Sequence, residues 1–174
     1  MSTTEQQATG TFVADTVHSR LGFEVNYAVA AFSGEVTDFA ATLVDGRLEG
    51  SANIASITLK DENLQAHILS PEFFDAERHP VLSFKGALHR DGDKATVTGE
   101  LTMKGITKPV TLEGTIVGPT VDHLGKTRVG LKLETVIDRT AFDMKWNMPL
   151  PNGEPALANE VTLKADLTLV AQDA

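Results

Sequence analysis

An all-β fold, an eight-stranded antiparallel β-barrel with a short helical insert, is what this sequence predicts. Three observations carry it. Apolar and polar residues alternate along most of the chain, glycine-containing turns separate the alternating runs, and the runs are numerous and long enough that closing them on one another is the economical way to satisfy both edges.

The elements follow in order. In RLGFEVNY the residues Leu21, Phe23, Val25 and Tyr27 share one face, which predicts a strand over 18–28. Strands over 34–44 and 47–58 flank Asp45-Gly46, a strong two-residue hairpin signal. RDGDK at 90–94 divides a strand over 81–90 from one over 93–103, and KGITKP and GPTVDHLGKT read as longer breaks. Val110, Leu112 and Ile116 predict a strand over 107–118. Val129, Leu131, Leu133 and Ile137 predict one over 127–138, and Val161, Leu163, Ala165, Leu167 and Leu169 one over 159–171.

Two segments interrupt this meander. The first is the insert at about 61–77. Asp61 can cap a helix carrying Leu64, His67 and Ile68 on one stripe; Ser70-Pro71 then reads as a second helix start, PEFFDAE as a helical stub, and His79-Pro80 as its end. On a helical stub Phe73 and Phe74 diverge by about 100°, so one can face the barrel wall and the other the interior. The second is the loop 139–158, with prolines at 149, 151 and 155 and with Phe142, Met144, Trp146 and Met148 spaced by two.

Composition bounds the chemistry. The chain has 174 residues, net charge −9 and no cysteine. One domain over 11–172 behind a disordered tail 1–10 is expected. The charge disfavours nucleic acid and anionic membrane surfaces. The absence of cysteine excludes disulfides, thiolate metal sites and a thiol nucleophile. The longest apolar run, YAVAAF at 27–32, is too short for a transmembrane segment. The polar start MSTTEQQATGTFVADT has no signal-peptide pattern, which points to a cytoplasmic protein.

Catalytic motifs are weak. Gly125-Lys126-Thr127 ends like a P-loop, yet Thr120 stands where its first glycine belongs, so it reads as a turn. Asp15, His18 and Ser19 are too close along one strand edge to form a relay. His67, Glu72 and His79 match no metal-ligand spacing. No cofactor and no metal are expected.

Taken together, DTVHSRLGFEV, HILSPEFFDAERHPVLSFKG, GELTMKGITKPVTLEG and VIDRTAFDMKWN resemble the YceI-like family of polyisoprenoid-binding proteins, over about 11–171. The resemblance implies a lipocalin-like barrel with an apolar tunnel for a polyisoprenoid or other long-chain amphiphile. It brings no catalytic residues. Tyr27 departs from the histidine expected after HSRLGFEVN, and VAAFSGEV is short against the family pattern. On this reading the chain carries or stores such a lipid, or a quinone precursor, and is not an enzyme. The ligand-binding candidates are Phe23, Tyr27, Phe32, Phe39, Phe73, Phe74, Phe84, Phe142, Met144 and Trp146. The alternatives are an enzyme with His67 or His79 as acid or base at the mouth, and a filled barrel with a stress or interaction role. A homodimer is the oligomer to test for.

Overall fold

The computed structural model describes residues 10–172; nearly all of the expected tail lies outside them. Eleven strands and one α-helix are present among the described residues: β1 Thr11–Ala14, β2 Arg20–Tyr27, β3 Ala30–Val36, β4 Phe39–Val44, β5 Arg47–Asn53, β6 Ile57–Thr58, α1 Glu62–Leu69, β7 Val81–Asp91, β8 Lys94–Met103, β9 Ile106–Val121, β10 Thr127–Asp138 and β11 Leu157–Ala171. They form the eight-stranded antiparallel barrel the alternation predicts, because three of its staves are each broken in two. Both β1 and β2 lie on one edge of β11; β4 and β3 pair with them, and β5 and β6 come next. From β5 the order runs through β7, β8, β9 and β10 back to β11, which closes the ring.

The breaks satisfy one another's backbone groups. At the β1–β2 bend the Asp15 amide donates to the Thr168 carbonyl at 2.8 Å, and the Ser19 hydroxyl accepts from the Thr168 amide at 3.0 Å. The Thr37 hydroxyl donates to the Ser56 carbonyl at 3.0 Å, and the Ser56 hydroxyl accepts from the Asp38 amide at 2.9 Å.

Four sequence expectations are corrected here. β1 is an added strand, too short at four residues to show an alternation. The run 34–44 is split between β3 and β4, and β3 begins at Ala30, after a two-residue turn at Ala28-Val29 that contains none of the residues turns favour. Lys104-Gly105 is a tight turn rather than a longer break, with both residues at positive φ (54° and 75°). The stub PEFFDAE is not helical: Ser70 ends α1, its amide and hydroxyl donating to the His67 carbonyl, and Asp75 at φ 51° turns the chain away from a helix. The α1 start is as expected, with Asp61 Oδ1 accepting from the Asn63 and Leu64 amides at 2.9 and 3.4 Å.

One barrel end carries the Asp45-Gly46, Gly92-Asp93 and 122–126 turns; the other carries the Ala28-Val29 and Lys104-Gly105 turns, the insert and the loop 139–156. The two ends are called the turn end and the insert end. Near the turn end an aliphatic core of Leu43, Leu48, Val97, Ile116, Val129, Leu131 and Leu169 fills the interior.

An ionic clamp ties the β9–β10 turn to the β1–β2 bend. Arg128 Nε lies 2.6 Å from Asp122 Oδ2 and Nη1 lies 3.2 Å from Asp15 Oδ2, while His18 Nδ1 is 2.8 Å from the same Asp15 oxygen. His18 and Arg128 bring the Asp15 carboxyl down to about 2. Arg128, with the Lys126 amide, does the same for Asp122. Both folded values lie below the ordinary 3.8. The clamp therefore contributes fully above pH ~4 and is lost as pH falls through the folded values near 2. Arg128→Met is expected to raise the midpoint pH of acid unfolding followed by circular dichroism; an unchanged midpoint would mean that the clamp adds nothing.

Candidate functional site

Between the aliphatic core and the insert end lies an apolar cavity of about 130 Å³. Phe23, Phe39, Phe74 and Phe84 line it, with Leu82, Leu101, Met103, Val110, Leu112 and Leu163. Small residues of β4 and β5, among them Ala41, Gly50 and Ala52, leave the room. The volume is close to the ~150 Å³ that admits one benzene, so a longer guest requires the rings to move.

The insert roofs this cavity. β6 pairs with β3, and the next stave, β7, is held by β5 alone on that side, so the barrel wall is open between β6 and β7. The segment 59–80 fills the opening. The Phe74 amide donates to the Ile68 carbonyl at 3.0 Å, which turns its ring inward onto Phe23, with centroids 6.3 Å apart and planes at 60°. A Cβ on Gly34 would come within 2.4 Å of the Phe23 ring, so only glycine lets that ring lie flat across β3.

Phe73 goes the other way. Its ring is buried against His67, 5.0 Å between centroids, and Trp146, 5.6 Å, with the Arg139 guanidinium 5.9 Å above it. Together with buried Phe142 and Met144 these rings form a cap over the insert end. Phe32 is half-buried, packing against both the cap and the Phe23 cluster. Tyr27 is exposed on β2 near the hairpin tip and lines neither.

Arg139 organises the cap. It is 3 % exposed and faces carbonyls. Nε donates to Ala158 at 2.8 Å, Nη1 to Met144 and Trp146 at 2.6 and 2.8 Å, and Nη2 to the Leu157 carbonyl and Asn159 Oδ1 at 3.4 Å each. Burial pulls its pKa down, against the neighbouring charge of Asp138. Lys104 binds the parts together, its Nζ donating to the Pro71 carbonyl at 2.9 Å and the Asp143 carbonyl at 2.8 Å. Sequence reasoning missed both cations, since a lone basic residue after a strand or in a turn looks like any solvated charge.

The wall also parts on the opposite side. β9 and β10 pair from Val121/Thr127 as far as Glu113/Glu134 and then separate. At the last contact they are pressed together, for a Cβ on Gly114 would collide with the Lys132 carbonyl. Beyond it an open depression of about 690 Å³ lies outside the wall, and Leu133, Lys164 and Ala165 line both it and the cavity.

The site offers little acid–base chemistry. His67 Nε2 is 3.4 Å from Glu72 Oε2 and stands edge-on between Phe73 and Trp146. His79 lies over Gly105 at the β8–β9 turn. Among the described residues no three His, Cys, Asp or Glu side chains are grouped to hold a metal ion, and no helix is long and apolar enough to cross a membrane.

The YceI-like domain matches residues 12–169. Protein YceI of Escherichia coli O157:H7 is 26% identical over 140 residues, which is 75% of this chain and 73% of that protein. UPF0312 protein plu2095 of Photorhabdus laumondii subsp. laumondii is 27% identical over the same shares. Among solved structures, BcnA of Burkholderia cenocepacia superposes with a TM-score of 0.74 at 23% identity, covering 91% of this chain and 99% of that one. A polyisoprenoid binding domain from Saccharophagus degradans, implicated in plant cell wall breakdown, gives 0.74 at 10% identity, over 94% and 99%.

Proposed function

This chain belongs to the YceI-like family, and from that membership we propose that its barrel binds, and carries or stores, a long-chain apolar lipid, with a polyisoprenoid or a quinone precursor as the best fit. The observation that carries the proposal is the phenylalanine-lined cavity roofed by Phe74. A chain of isoprenes offers almost nothing to hydrogen-bond, so affinity has to come from apolar area, at ~0.8 kcal/mol per buried CH₂. The structural neighbour described as a polyisoprenoid binding domain supports the ligand class. Of the ten aromatic and methionine candidates, Phe23, Phe39, Phe74 and Phe84 would grip the chain. Phe32, Phe73, Phe142, Met144 and Trp146 would cap it, and Tyr27 would stand at the rim.

The role is binding rather than catalysis: His67 is occupied by Glu72 and two aromatic edges, away from the cavity lining. Native mass spectrometry of protein purified without detergent, with solvent extraction of whatever accompanies it, tests the proposal. A lipid at one per chain is expected. Protein that arrives empty and takes up no added polyprenol would overturn it in favour of a filled barrel.

A further inference from the structure

Each of the tight hairpins at 45–46, 92–93 and 104–105 contains a glycine at positive φ. The β2–β3 hairpin does not: Ala28, at φ 54°, and Val29 make its turn. An alanine there is strained where an asparagine or a glycine would not be. Such breaches of local rules are where function is to be sought. What the turn gains is apolar surface. Val29 is fully exposed at 106 %, and Tyr27, Ala28, Ala30 and Ala31 are exposed around it. Residues 25–34 carry no charge in a chain of net charge −9, and Glu24 and Glu35 are the first charges met on either strand.

The tip adjoins the cap. The Ala28 amide donates to the Ala156 carbonyl at 2.7 Å, and Tyr27 pairs with Leu157. Beside it the loop 146–153 is also uncharged and exposes Met148. Phe23, which packs with Phe32 and Phe74, lies six residues before Val29 on the same hairpin, roughly 20 Å along the strand at ~3.3 Å per residue.

We propose that the Ala28-Val29 hairpin tip inserts into a lipid surface of low net charge and seats the insert end on it, so that a lipid passes between bilayer and cavity without crossing water. Its purpose rests on the lipid-binding reading above. A neutral bilayer matches the uncharged tip, whereas an anionic one would repel the body of the protein. A second copy of the chain fits less well, because a protruding two-residue turn offers a small part of the ~1,200 Å² that a stable interface buries. Tyr27, exposed beside the tip, would lie at headgroup level, where such rings are favoured.

The test is flotation of the purified protein with phosphatidylcholine vesicles, comparing wild type, the double variant Ala28→Asn/Val29→Gly, and Val29→Asp. The double variant is expected to stay folded with a melting temperature near that of wild type, since asparagine relieves the strain at 28 while glycine at 29 only adds backbone freedom. Its vesicle-bound fraction falls about tenfold through loss of the buried valine. Val29→Asp should float no better. Uptake of solvent-dispersed polyprenol, measured in parallel, should be unchanged in all three. That assay reports on the lipid-binding reading separately, so flotation that depends on the tip would stand even if uptake failed. Wild type that does not float, or floats no better than the variants, overturns the proposal. A change of sedimentation coefficient in the variants without a change in flotation would assign the tip to a second copy and overturn it as well.

Discussion

Arg139→Met is expected to lose about 3–5 kcal/mol of stability, because it leaves several buried carbonyl acceptors without their donors. Methionine keeps the apolar stem of the side chain and none of the guanidinium's donors. The carbonyls of Met144, Trp146 and Ala158 would lose the partners now at 2.6–2.8 Å. The Leu157 carbonyl would keep one, the Asn147 side-chain amide at 2.7 Å. Each buried acceptor left alone costs ~1–3 kcal/mol. In a chain of this length a loss of that size lowers Tm by roughly 10 °C or more. Urea denaturation of wild type, Arg139→Met and Arg139→Lys measures it. Lysine keeps the charge with three donors instead of five and should recover part of the loss. A methionine variant within 1 kcal/mol of wild type would mean that the cap is held by its apolar contacts alone.

The second large effect is on ligand retention. Phe74→Asp places a carboxylate in the roof of the cavity, against the Phe23 ring. The barrel should stay folded, because the aliphatic core near the turn end does not include residue 74. Losing the ring costs about 2 kcal/mol of burial and aromatic contact, a fraction of the stability of an ordinary domain. Co-purified lipid per chain should fall at least tenfold, while Phe74→Leu, which keeps the roof apolar, should retain most of it. Mass spectrometry of extracts from equal amounts of folded protein gives the answer, and unchanged lipid in the aspartate variant would remove the roof from the mechanism.

The barrel was legible because its signal is redundant. Runs such as 127–138 alternate over most of their length, and β10 spans Thr127–Asp138. Asp45-Gly46 announced its hairpin by its own chemistry. The misplaced elements lacked such redundancy. At Ala28-Val29 an apolar run hid a turn, and at Ser70-Pro71 a sound helix-start pattern was overridden when Phe73 and Phe74 were drawn to opposite sides of the chain. Residue type alone picked Phe23, Phe39, Phe74 and Phe84, which line the cavity, together with Tyr27, which does not. Arg139 and Gly114 had no local signature, because what distinguishes them is a ring of carbonyls and the close approach of a neighbouring strand, which arise only once the loop and the hairpin are folded.

The parting of β9 from β10 has a consequence for how this protein coexists with its own copies. From Ile106 to Leu112 β9 has β8 on one side and, among the described residues, no strand on the other, and a bare strand edge is a template for foreign chains. Narrow and wide pairs alternate from the closing pair Met103↔Ile106, so the Pro109 nitrogen, opposite Glu100, faces the free side. There it withholds a donor without breaking a bond to β8. Exposed Lys108 beside it adds a charge that a recruited strand would have to bury. The edge can therefore stay open for the site's sake while resisting amyloid-like growth, and the Lys-Pro pair is the guard that makes the two compatible.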